Sequence, residues 1–203
     1  MPSLSILQER LQSIAARRTV QAVAIVVVLL GVAAAAHRAH HNRHVPGPFD
    51  AELKHTGFID FQNGIYFPSL AFGNGVSPYS AEYAEQYPVP RPTPAYSPLN
   101  FVYHLPFTWL PLPVAEWVYF VTIVGLAIAF VWLLLKDADA SVGIWLCPLL
   151  AVLVWSRAGH ATLFGGYFTL ELALATMAAL HFARSRPWIA AVGVAIASVK
   201  PTY

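Results

Sequence analysis

One acid stands out among the residues that can do chemistry. Asp60 is alone in the stretch Gly57-Phe-Ile-Asp-Phe-Gln-Asn-Gly-Ile-Tyr66, flanked by Ile59 and Phe61. Apolar neighbours raise a carboxylate's proton affinity toward the range useful to a general base. The same residue is also placed to cap a short helix over 61–72. The tight group Ser156-Arg-Ala-Gly-His160 offers Arg157 and His160 to an anionic group. Arginine suits phosphate because its planar donors bind in pairs. Glu171 and Lys200 are ionisable residues within apolar runs, where such groups face a partner or a cavity. Counted at the helical rise, Glu171 lies about 12 Å below one surface and Lys200 about 20 Å above the other. In a hydrocarbon core of about 30 Å these depths nearly meet, so the two are expected to approach each other. Snorkelling of Lys200 to a lipid phosphate is the equal alternative.

Weaker candidates surround these. His37, His40, His41 and His44 fall on one helical face, with Arg38 and Arg43 interleaved. The arginines repel a cation and no cysteine or aspartate completes a familiar metal set, so no metal site is assigned. Tyr79, Tyr83 and Tyr87 are spaced by four, and Tyr96 and Tyr103 follow. They supply either an interfacial aromatic belt or flat faces for a sugar ring. No P-loop, GxSxG, HExxH or CxxC pattern occurs. Gly165-Gly166 reads as a place of close helix packing.

The elements that must position these residues are membrane-spanning. The chain is 57% hydrophobic and 11% charged, against about 25% charged in soluble domains. An all-α polytopic fold with about five spans is expected: residues 19–36, 114–135, 142–156, 163–182 and 187–203. An amphipathic segment, 1–18, precedes them. Arg10, Arg17, Arg18, Lys136, Arg184 and Arg186 mark one side as cytoplasmic. That puts the N-terminus inside and the 77-residue connection His37–Pro113 outside. Arg17-Arg18, the apolar run and Ala33–Ala36 also fit the three parts of a signal peptide. Pro88, Pro90, Pro92 and Pro94 form a stiff extended connector within the long connection. Connections of this length are functional or disordered, and this one is too aromatic for disorder. The net charge of +2 and the lack of a basic stripe exclude nucleic acid. The single Cys147 excludes an internal disulfide framework.

The order of motifs resembles glycosyltransferase family 87, a bacterial group with the C-type glycosyltransferase fold. Asp60-Phe61 and Tyr66 follow the first span. Ser77-Pro78-Tyr79 and Tyr96-Ser97-Pro98-Leu99 lead through Leu105-Pro106 and Leu110–Pro113 into the second. Leu163-Phe-Gly165 opens the fourth span, and Lys200-Pro201-Thr202 closes the chain. The resemblance covers roughly residues 57–203. It implies an enzyme of the bacterial plasma membrane that moves a hexose, mannose at the family level, from a polyprenyl-phosphate donor to a lipid or glycan acceptor. The donor is then a substrate, and no cofactor is called for. Asp60 matches the catalytic base, Tyr66, Pro78 and Tyr79 the loop that shapes the site, and Lys200 a lysine near the donor. Tyr96, Arg157 and His160 complete the expected substrate-binding set. Where the family often has Gln or Asn after the glycine of the fourth span, this chain has Gly166-Tyr167. Family members continue for several further spans, so the chain is expected to be the N-terminal part of such an enzyme.

Two readings compete. In a transporter, Glu171 and Lys200 would form a coupling site, yet no inverted repeat is visible. In a non-catalytic scaffold, the long connection would be a partner-binding surface.

Overall fold

Small residues decide how the first helix packs. In the computed structural model, which describes residues 13–14, 18–46, 56–89, 94 and 96–200, helix α1 runs over Arg18–His41. Its buried positions are Ala24, Gly31, Ala35 and Ala39. A Cβ on Gly31 would lie 2.6 Å from Val154 Cγ1. Backbones in a bilayer associate by such close approach, and here it seats α1 against the helix over Val142–Trp155. The N-terminal amphipathic segment lies almost wholly outside the described residues, as do Pro90 and Pro92 of the expected connector.

The described part of the long connection is folded. Ile59–Phe61 (α2), a π-helical turn Gln62–Tyr66 and Phe67–Gly73 (α3) follow one another directly. Short helices Ala81–Gln86 (α4) and Pro98–His104 (α5) and a 3-10 turn Leu105–Trp109 lead to the next span. Phe58, Phe61, Ile65 and Phe101 are fully buried. The Phe61 ring stacks on Tyr119 with centroids 4.6 Å apart, so the core of the connection continues into the core of the helices.

Leu112–Asp137 (α6) is the second long helix. Only α1 and α6 are long and apolar enough to cross a membrane alone, among the described residues. Val142–Trp155 (α7) and Arg157–Gly165 (α8) are bent by 73° at Ser156 and qualify as a span only as a pair. Ser156 caps α8, its hydroxyl accepting from Gly159 N at 2.9 Å. The bend turns α8 well off the direction of α7. Thr169–Phe182 (α9) and Pro187–Ala197 (α10) are shorter apolar helices packed on each other.

The stretch 163–182 is therefore not one helix. Residues 163–165 belong to α8, and the chain breaks before α9 starts at Thr169. Gly166 causes this: at φ 74° it takes the left-handed conformation that ends a helix. The all-α polytopic membrane architecture holds, with two unbroken spans and a third if the bent pair is counted.

A recessed cavity around Asp60 as candidate active site

Asp60 sits inside a helix and does not cap one. The cap position belongs to Phe58, which has φ 60° and no side-chain cap bond. A left-handed phenylalanine is uncommon, and such strain persists only where the surroundings enforce it. The enforcement is visible: Phe58 N–H donates to Phe164 O of α8 at 3.0 Å. Asp60 thus lies in the first turn of α2, tied to the end of α8.

The turn after α8 completes the seat. A Cβ on Gly166 would lie 2.6 Å from Phe61 Cβ, and one on Gly165 would lie 3.0 Å from Asp60 Oδ2. Two glycines let the turn press against Asp60 and Phe61 where any side chain would intrude. The close packing expected of Gly165-Gly166 is realised against the acid-bearing turn.

A cavity of about 590 Å³ opens over this contact. Asp60, Arg38, Arg157, His160, Trp155 and Tyr167 line it. The guanidinium of Arg38 lies over the Phe164 ring, 4.2 Å from its centroid. Arg157 is exposed and makes no ion pair among the described residues. Burial, and then the charge of Arg38, hold His160 below the usual imidazole value. The fixed positive charge of the cavity comes from the two arginines.

Three predicted residues, Asp60, Arg157 and His160, meet in this cavity. The others do not line it. Tyr66 is buried and donates to Leu110 O at 2.9 Å, pinning the turn before α3 to the entry of α6. Tyr79 is exposed and its hydroxyl donates to Tyr96 O. The Tyr96 ring meets Phe168 edge-on at 4.6 Å. Lys200 is exposed beyond the end of α10, beside a bond from Ser97 N to Val199 O of 2.9 Å. Of the three spaced tyrosines, only Tyr83 falls inside α4. Arg38 is the cavity residue that the sequence does not signal, because its position just past an apolar run reads as a span-end charge.

The expected Glu171–Lys200 approach is corrected. Glu171 accepts from Tyr103, from Tyr119 at 2.6 Å and contacts His104 at 3.2 Å. No ion pair joins Glu171 and Lys200 among the described residues. The depth count assumed an unbroken span, and the break at Gly166 puts Glu171 in the first turn of α9, where α5 reaches it. In the histidine cluster, His37 and His41 stack at 6.0 Å and His40 tilts against Trp117. Among the described residues, no three His, Cys, Asp or Glu side chains converge as a metal site would need.

The family model for glycosyltransferase family 87 matches residues 95–203, more than half of the chain. The chain belongs to glycosyltransferase family 87. It is a membrane glycosyltransferase of C-type family, which decides against the transporter and scaffold readings. No curated protein and no solved structure matches. Arg157, His160 and the Gly165-Gly166 turn of this glycosyltransferase fall within the matched residues. Asp60 and Arg38 lie ahead of it and join the site through the packing of α1 and α2 on α8.

Proposed function

We propose that the protein transfers a hexose, mannose at the family level, from a polyprenyl-phosphate donor to a lipid or glycan acceptor on the outer face of a bacterial plasma membrane. The single observation that carries this reading is one carboxylate, two arginines and a histidine lining one cavity. Asp60 takes the proton of the acceptor hydroxyl. The acceptor oxygen then bonds to the anomeric carbon as the bond from that carbon to the phosphate oxygen breaks. The electron pair leaves with polyprenyl phosphate, and the configuration inverts. A phosphate leaves without needing a proton, so one base is enough where a glycoside hydrolase needs two carboxylates.

Arg38 and Arg157 offset the charge that grows on the departing phosphate. Fixed donors aimed at developing charge are worth most in a dry site. His160 orients the same group by hydrogen bonding. Trp155 and Tyr167 offer aromatic faces to the sugar ring. Tyr66, Tyr79 and Tyr96 act at a distance by fixing the outer loop, and Lys200, outside the cavity, has no part in holding the donor phosphate. The N-terminus is cytoplasmic in this arrangement.

The test is transfer of label from radiolabelled polyprenyl-phosphate mannose in membranes carrying the full-length protein or its Asp60→Asn variant. Label should reach a lipid or glycan acceptor with the wild-type protein and not with the variant, at equal amounts of folded protein. Undiminished transfer by the variant removes Asp60 from the mechanism.

A further inference from the structure

Resting on that reading of Asp60, we infer that Glu116 is a positioning residue for the base. Glu116 is fully buried near the start of α6. Neither of its hydrogen-bond donors lines the Asp60 cavity, yet both its oxygens are engaged. Oε2 accepts from Arg43 Nε at 2.6 Å, and Oε1 accepts from Gln62 Nε2 at 2.6 Å. These two donors sit on either side of the segment that carries Asp60.

Arg43 grips the upstream side. It lies just past α1, paired with Gly57 in an isolated parallel bridge. Gly57 N donates to Asn42 O at 2.7 Å, and His44 N donates to Gly57 O at 2.9 Å. A Cβ at Gly57 would lie 2.3 Å from Ala39 O, so the segment lies directly on the end of α1. Gln62 grips the downstream side, two residues after Asp60. Its backbone N–H donates to Phe58 O at 2.9 Å, and it opens the π-helical turn. Its side-chain NH₂ also donates to His44 O at 3.2 Å.

The amide cannot be turned round. Flipping it would aim an oxygen at a carboxylate and a carbonyl, both acceptors. The cost of the orientation is visible in Gln62 Oε1, which is buried without a hydrogen-bond partner. Glu116 is fully buried but the Arg43 side chain is 35% exposed, and a half-buried ion pair of this kind adds little to stability alone. What the carboxylate provides is a fixed geometry: it ties the exit of α1, the entry of α6 and the helix of Asp60 to one pair of oxygens.

The experiment measures turnover, donor KM and thermal unfolding for Glu116→Ala and Glu116→Gln, beside Asp60→Asn. Positioning predicts a fall in kcat of roughly 10²-fold for Glu116→Ala, the loss expected from about 1 Å of misplacement. Donor KM should stay within about threefold, because Arg38 and Arg157 are untouched. Glu116→Gln, which keeps one acceptor, should recover part of the turnover. A fall that only follows the folded fraction, or a rise in donor KM as large as the fall in kcat, would overturn the inference. A dead Asp60→Asn beside a normal Glu116→Ala also overturns it while leaving the role of Asp60 intact. Transfer unaffected by Asp60→Asn instead removes the reading beneath it.

Discussion

Gly165→Ala separates the seat of Asp60 from the stability of the fold. The new Cβ would lie 3.0 Å from Asp60 Oδ2 and 3.1 Å from Tyr167 Cε2. An ordinary carbon–oxygen contact is roughly 3.3–3.6 Å, so the carboxylate must retreat by about 0.3–0.6 Å. If 1 Å of misplacement costs roughly 10²-fold, that retreat costs roughly 4- to 16-fold in turnover. Stability should change little. Alanine gains up to about 1 kcal/mol over glycine in a helix, and crowding takes back about 1 kcal/mol or slightly more. For a chain of this size a residual of about 1 kcal/mol moves Tm by roughly 2–4 °C. Gly125→Ala is the control, because a Cβ there meets nothing within 4 Å. It should leave turnover unchanged. The assay is single-turnover transfer beside thermal unfolding in the same detergent. Wild-type turnover by Gly165→Ala would refute the claim that the glycine turn sets the position of Asp60.

Two further substitutions probe the groups around this site. Tyr119→Phe keeps the ring stacked on Phe61 but removes the hydroxyl that Glu171 accepts at 2.6 Å. A lost hydrogen bond to a charged group should lower unfolding stability by about 1.5–3 kcal/mol, and an unchanged midpoint would show that the contact contributes nothing. Arg38→Lys keeps the charge but loses the planar face over Phe164. Donor KM should rise roughly tenfold, equivalent to about 1.4 kcal/mol, while an unaltered KM would take Arg38 out of donor binding.

How legible the molecule was in its sequence depends on range. Asp60 was visible because a lone acid between Ile59 and Phe61 is a local signal. Arg157 and His160 were visible because they interrupt an apolar run in a short hydrophilic group. Their meeting with Asp60 needed the folding of the connection onto α8, which no local pattern encodes. The break at Gly166 was hidden because apolar residues continue through it, and a hydropathy pattern does not register φ. That one turn then displaced the expected partner of Glu171 from Lys200 to Tyr103, His104 and Tyr119. The Glu116–Arg43–Gln62 clamp was silent for a related reason: Arg43 and Gln62 stand 73 and 54 residues from Glu116 along the chain.

The shortness of α7 has a consequence for chemistry. Its last residue, Trp155, donates from Nε1 to Val27 O of α1 at 2.9 Å. Val27 is near the middle of α1, and Arg38 stands eleven residues further along, about 16 Å at the helical rise. Trp155 and Arg38 line the same cavity, so the chamber extends over several turns of α1. A chamber recessed along a helix limits the water around whatever it holds, and excluding water suppresses hydrolysis of a reactive donor. A short α7 that stops beside α1 is what leaves room for that recess.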